Sequence, residues 1–395
     1  MNKFIITKLA GTELLRGPGA RLRKFGRFMV LAALAGAAAS VSWAQSIPII
    51  SDFSDATGTY PGYYDTLTLS GSTLYGTTYE DGNPGYGGGT VFKVGTGEGS
   101  TITVLHDFSG TDGFHPIASL VVSGATLYGV TQIGGTNGDG WGTIFKVNTD
   151  GSGFTKLYDF GTISNSTDGR YPHGGLVVSG SYLYGTTYEG GANNGTVFRI
   201  ALSGGYGAGY ASVSLGESEA GPVGALVLNG SELYGVASEG GSVFKVSTSL
   251  AGLANLCTNL SYPTGPLLLL GSSLYGSEPY GGSGYGAIFK VNLSGGSATS
   301  VYSFTGGSDG AYPNGGFAVV DSSDFMGTAA QGGASGNGTI FLVNTGGSCS
   351  AQASFDGTDG AYPVQGLVTD SDGDYYGTTT GGGSESDGTV FVLPF

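Results

Sequence analysis

Leu183-Tyr184-Gly185-Thr186-Thr187, a glycine-rich stretch, then Gly195-Thr196-Val197-Phe198-Arg199-Ile200: this segment decides the fold, because it returns along the whole chain. The Leu-Tyr-Gly tripeptide stands also at Leu74-Tyr75-Gly76, Leu127-Tyr128-Gly129, Leu233-Tyr234-Gly235 and Leu274-Tyr275-Gly276. Degenerate copies follow at Phe325-Met326-Gly327 and Tyr375-Tyr376-Gly377. The phenylalanine of the second motif recurs as Phe92, Phe145, Phe198, Phe244, Phe289, Phe341 and Phe391. A proline marks the same units at Pro61, Pro116, Pro172, Pro222, Pro263, Pro313 and Pro363. Three markers, each present seven times in one order at a spacing of about 50 residues, establish a tandem repeat.

Each unit reads as four strands. In the third, Gly175-Leu176-Val177-Val178 is a short apolar run and Ser179-Gly180-Ser181 a turn. Residues 182–187 form the second strand, 190–195 a glycine-rich loop, 196–200 the third strand and 210–215 the fourth. Short runs of β-branched and aromatic residues between Gly, Ser and Asp fit sheet rather than helix. Four-stranded units of this length are blades of a propeller. The predicted fold is therefore all-β: a seven-bladed β-propeller of four-stranded blades, spanning residues 45–395. The segment Thr389-Val390-Phe391-Val392-Leu393 is a third strand with no fourth after it, and Ile47–Phe53 resembles the fourth strands 104–108 and 157–160. The N-terminal strand is expected to complete the last blade.

Composition supports order with many turns. The chain has 395 residues, 79 of them glycine, with 11% charged and 12% aromatic. An ordinary globular chain carries about 7% glycine and about 25% charged residues. No Gly-X-Y period makes this a collagen, and the aromatic content argues against disorder. Seven of the 14 basic residues precede residue 28, ahead of the apolar run Phe28–Ala39 and the small-residue site Ser42-Trp43-Ala44. That order predicts a secretory signal peptide over residues 1–44, and so a secreted, periplasmic or cell-surface protein with no membrane insertion after cleavage. Residues 45–395 then hold 28 acidic against 7 basic side chains, a net charge of −21. Phosphate backbones need a basic surface, so nucleic acid is excluded as a partner. Cys257 and Cys349, the two cysteines, fall in different repeats and are expected not to pair.

The repeat resembles the Gloeo/Verruco (GloVer) tandem repeat of exported bacterial proteins. Leu-Tyr-Gly-Thr-Thr, Gly-Thr-Val-Phe-Lys-Val, an Asp-Phe strand end and Asp-Gly-Ala-Tyr-Pro carry the likeness over residues 47–395, less strongly in repeats 4 and 5, which lack the Asp-Gly. The resemblance implies export and a propeller-like fold, and transfers no activity to a named residue.

With strands lettered a to d from the axis outward, the d–a connections and the b–c loops open on one face. Asp168-Gly169-Arg170-Tyr171-Pro172, Asp309-Gly310-Ala311-Tyr312-Pro313 and Asp359-Gly360-Ala361-Tyr362-Pro363 lie in the first set, and Tyr79-Glu80 and Tyr188-Glu189 in the second. Tyrosine flanked by acids suits stacking on a sugar ring and accepting its hydroxyls. The candidate ligand contacts are Tyr79, Glu80, Asp112, His115, Asp168, Tyr171, Tyr188 and Glu189, concentrated in the first three blades, with blades 4 and 5 expected to contribute less. The competing reading is turn chemistry, Asp-Gly making the bend and proline fixing the start of the strand. The three histidines, His106, His115 and His173, lack the spacing of a zinc site, and 370–374 reads as a turn rather than a calcium loop. No catalytic residue, metal or cofactor is assigned. The function expected is an extracellular binding or scaffold module, a monomer whose ligand is a polysaccharide or a protein. The alternative is a propeller glycan hydrolase or lyase with carboxylates at the channel mouth, less favoured because catalysis must break the repeat's symmetry.

Overall fold

The computed structural model describes residues 47–62, 66–82, 87–136, 140–161, 168–205 and 209–395; the signal-peptide reading of 1–44 lies outside them. Among the described residues all regular structure is strand except a 3₁₀ turn at Glu217–Glu219. The strands form seven antiparallel sheets, one per repeat, arranged as a propeller ring. Blade 3 shows the plan, with strand a at Val177–Ser179, b at Tyr182–Gly190, c at Thr196–Ala201 and d at Ala211–Ser214.

The three sequence markers are linked physically. Gly185 of strand b stands opposite Phe198 of strand c. A β-carbon on Gly185 would lie 2.6 Å from the Phe198 ring tip and 2.9 Å from Leu176, so only glycine lets the ring lie flat there. The same pair recurs in every blade, at 2.4–2.7 Å from Gly76 to Phe92 through Gly377 to Phe391. In five blades the ring then meets an aromatic from the blade before, and in blades 4 and 5 the equivalent residues are Leu215 and Leu260. Phe160 packs edge-on against Phe198 at 5.4 Å, and Phe108 against Phe145 at 5.1 Å. Phe304 with Phe341 and Phe355 with Phe391 repeat the geometry. The third marker works across the following seam, between blades 3 and 4. Gly195, at φ +91°, would direct a β-carbon to within 2.7 Å of Pro222 in the next blade.

Threonine explains the rest of the motif. Thr187 and Thr196 exchange a buried hydroxyl hydrogen bond at 2.8 Å, and the Thr196 amide donates to Thr187 Oγ1 at 3.2 Å. Thr78 with Thr90, Thr131 with Thr143 and Thr379 with Thr389 do the same. These pairs tie the b–c end of the sheet in blades 1, 2, 3 and 7, each hydroxyl satisfying the other.

The seventh sheet runs Ile49–Asp52, Thr389–Leu393, Tyr375–Thr379, Val368–Thr369 from the outside in. Ile49 faces Phe391 and Asp52 faces Thr389, with a bulge between them. Phe53, next along, packs edge-on against Phe92 of blade 1 at 5.0 Å. Around the ring, the Gln365 amide of blade 7 donates to Pro61 O of blade 1 at 2.6 Å.

One feature differs from the four-strand reading. In blades 1, 3 and 6 the proline segment is itself a short strand, Thr59–Pro61, Gly169–Pro172 and Ala311–Pro313, paired with the far end of strand b. Blades 2 and 7 keep only single bridges there, Phe114 with Ile133 and Ala361 with Gly381. Strand b is long enough to pair with two collinear partners, and the connection between blades is more ordered than a loop. Both cysteines are free thiols, Cys257 buried and Cys349 half-buried.

Two outcomes test this packing. Phe198→Ala removes a fully buried ring from the seam between blades 2 and 3 and should cost about 3–5 kcal/mol by denaturant titration; a loss below about 1 kcal/mol would show that the ring is not a packing element. Deleting residues 47–53 uncovers the ladder of Thr389–Leu393 and the Phe92 ring. A truncated protein that melts with the parent would refute a stabilising role for that strand.

Candidate functional site

The d–a connections carry an unusual backbone. The residue before each marker proline is left-handed: Tyr60, His115, Tyr171, Gly221, Tyr262, Tyr312 and Tyr362 all have φ between +49° and +63°. For a non-glycine residue that conformation costs about 1–2 kcal/mol. It is held by the preceding blade: the amide of His115 donates to Gly88 O, Tyr171 to Trp141 O, Tyr312 to Tyr285 O and Tyr362 to Asn337 O, all at 2.8–3.0 Å. Strain of this kind, over-determined by its surroundings, collects at ligand-binding positions. Here it sets a crown of aromatic side chains on one face, with Tyr60, Tyr262 and Tyr362 exposed.

Inside the crown lies a cavity of about 680 Å³, walled by blades 3 to 7. Its aromatic wall is Tyr188, Tyr262, Tyr280 and Tyr312; Ser238, Thr264, Asn314, Gln331 and Thr380 supply hydroxyl and amide groups. Tyr280 stands 6.5 Å from Tyr262 and 5.9 Å from Tyr312, ring centre to ring centre. His173 completes the wall beside Tyr188, their rings 5.5 Å apart. Burial pushes the His173 imidazole down to about 4, so it is neutral at pH 7. Among the described residues no Asp, Glu, Lys or Arg lines this cavity.

Comparison with known proteins agrees with this architecture. The Gloeobacter/Verrucomicrobia repeat matches residues 35–249 and 241–394. The chain belongs to that repeat family. No curated protein sequence matches it. Virginiamycin B lyase from Staphylococcus aureus is similar in structure, with TM-score 0.59 at 15% identity over 89% of this chain and 99% of its own. A streptogramin B lyase reaches 0.58 at 13% identity, covering 85% and 95%. A putative 6-phosphogluconolactonase from Bacteroides fragilis reaches 0.51 at 17%, covering 77% and 86%. At such identities the likeness is one of fold.

In this Gloeobacter/Verrucomicrobia repeat protein the eight candidates named from sequence do not converge. Tyr188 alone lines the axial cavity, its hydroxyl donating to Glu239 Oε1 at 2.8 Å. Tyr79 and His115 stack on each other at 4.1 Å, so each covers a face of the other. Glu80 sits at a separate hollow of about 170 Å³ with Asp55, Asp81 and Asp387. Burial and then the charges of Asp55, Asp81 and Glu385 push the Asp387 carboxyl up. Glu189 lies 3.9 Å from Arg170, whose guanidinium rests over Trp141 at 5.0 Å. Tyr171 is one of the left-handed residues.

Asp112 and Asp168 hold the chain between blades. Asp168 is buried and accepts from Tyr158 Oη at 3.1 Å and the Gly161 amide at 2.8 Å. Asp309 accepts likewise from Tyr302 Oη and the Thr305 amide, and Asp359 from the amides of Asp356 and Ile47. Asp112 accepts from His106 Nε2 and from the amide and hydroxyl of Ser109, each at 2.9 Å. Blades 4 and 5, expected to contribute less, supply Val223, Gly224 and Ser238, and Tyr262, Thr264, Pro279 and Tyr280, to the cavity wall. The sequence signal for Tyr262 was its place before Pro263; the missing Asp-Gly obscured it.

Asp112 gives a pH test. Burial alone would raise its carboxyl, but the hydrogen bonds from His106 and Ser109 outweigh it and bring it to about 2. A pKa lowered on folding stabilises the protein above the unfolded value of 3.8 and loses that contribution as pH falls towards 2. Asp112→Asn should therefore cost about 1 kcal/mol at pH 7, allowing for screening at a partly exposed site. The gap in melting temperature between parent and variant should close between about pH 4 and pH 2. A gap independent of pH would show that the carboxylate charge is not what holds the turn.

Proposed function

We propose that this is an exported binding protein that holds a neutral polysaccharide in the axial cavity. One observation carries the reading: four tyrosines and a set of hydroxyl and amide side chains line a cavity without charge, in a chain whose formal net charge is −15. Tyrosine faces stack on the C–H faces of a pyranose, and the amide and hydroxyl groups exchange hydrogen bonds with its hydroxyls. The volume is that of ordinary small-ligand sites, about 300–1,000 Å³. An anionic ligand would find no cation here. Hydrolysis of a glycosidic bond by the usual route needs two carboxyl groups about 5–10 Å apart across the ligand, and the described residues of the cavity wall offer none. The basic and apolar order of residues 1–39 supports export.

The test is retention on an array of neutral polysaccharides. Tyr262 and Tyr280 are 59% and 65% exposed, so the double variant Tyr262→Ala/Tyr280→Ala should melt with the parent. It should bind at least about tenfold more weakly, the loss of roughly 1.4 kcal/mol. The captured glycan should leave with its chain length unchanged. Failure of the parent to retain any neutral glycan removes the carbohydrate reading and leaves a protein-binding scaffold. Shortened products would put a glycan-cleaving enzyme in its place.

A further inference from the structure

The large exposed side chains are not spread evenly. Among the described residues the exposed large hydrophobic side chains are mostly tyrosines, and three of them, Tyr262, Tyr280 and Tyr285, belong to blade 5. Tyr262 precedes the blade's first strand, Thr264–Leu270; Tyr280 follows its second, Ser273–Glu278; and Tyr285 precedes its third, Ala287–Asn292. Since strands are laid from the axis outward, these positions lead outward. Tyr262 and Tyr280 line the cavity, whereas Tyr285 is outside it.

The line reaches the seam to blade 6. Tyr280 meets Tyr312 at 5.9 Å, and the Tyr312 amide donates to Tyr285 O at 2.8 Å. The Tyr285 ring lies over Gly306, beyond the outermost strand Thr299–Ser303, where a β-carbon would fall 2.5 Å from the ring. The ring is thus seated and still 45% exposed. Tyr262 and Tyr280 stand at 88° and Tyr280 and Tyr312 at 59°, so successive rings are turned as platforms for a twisting chain would be. The equivalent ring of blade 2, Trp141, is covered by the Arg170 guanidinium. Exposed aromatic side chains gathered at and beyond a cavity rim mark a binding surface.

Resting on the glycan reading of the cavity, we infer that the ligand is an internal stretch of a long neutral chain. It leaves the cavity over the seam between blades 5 and 6, past Tyr280 and Tyr312, and occupies an outer aromatic subsite at Tyr285. Short ligands reach only the cavity.

Calorimetry with cello-, laminari- and malto-oligosaccharides, each as the trisaccharide and the hexasaccharide, tests this. In the series that binds, the hexasaccharide should be at least about tenfold tighter than the trisaccharide. Tyr285→Ala should bring the hexasaccharide to the trisaccharide's affinity and leave the trisaccharide unchanged, while Tyr285→Phe, which keeps the ring, should behave as the parent. Equal affinities in the parent, or an equal loss for both lengths in Tyr285→Ala, would overturn the outer subsite and leave the cavity reading standing. If neither length binds in any series, the cavity reading falls and the subsite with it.

Discussion

A phenylalanine ring lying on a bare glycine is the contact on which the other features of this propeller depend. The ring of Phe198 occupies the place a side chain at Gly185 would take, and its edge is free to receive Phe160 from the neighbouring blade. One pair therefore joins strands b and c and joins two blades. Each aromatic burial of this kind is worth several kcal/mol, and seven such pairs recur around the ring. The marker proline rests on a second glycine across the following seam, as Pro222 does on Gly195. High glycine content is here a packing requirement more than a source of flexibility. It lets large rings and neighbouring backbones approach where a β-carbon would hold them apart.

That economy fixes where charge can go. Acids are placed in the turns between blades, where the carboxylates of Asp168 and Asp309 accept from tyrosine hydroxyls and backbone amides. Elsewhere they gather at the hollow of Asp55, Glu80, Asp81 and Asp387, near the seam of blades 7 and 1. Among the described residues the wall of the axial cavity is uncharged, with tyrosine, hydroxyl and amide groups set beside Val223, Pro279 and Val364. A strongly acidic protein thus presents an uncharged recess, and the two properties are compatible because the acids have structural tasks elsewhere.

The repeat markers made the fold legible, because Gly185, Phe198 and Pro222 are spaced in the sequence as their contacts require. The long second strand was harder to read. Its outer end pairs with the segment Gly169–Pro172, whose Asp-Gly and proline look like a turn. The site was only partly legible, for a reason that composition does not contain. Tyr79 and His115 look like good ligand contacts until they are found stacked on one another. Tyr262 lacks the acidic turn that drew notice to Tyr171 and Tyr312, yet it is the more exposed. Which aromatic faces are covered is decided by neighbours distant in sequence, as His115 covers Tyr79 and Arg170 covers Trp141.

The pairing of Ile49–Asp52 with Thr389–Leu393 sets an order of events in biosynthesis. The outer strand of the seventh sheet is made before its partner, and it waits while residues 53–388 emerge. Contacts so distant in sequence slow folding, and an unpaired strand is open to wrong partners in the meantime. The waiting strand is only four residues long and follows a proline, Pro48, which limits what it can template. The sheet cannot be complete until residues 389–393 have been made, so the seventh blade is assembled from strands that no partial chain short of them can supply.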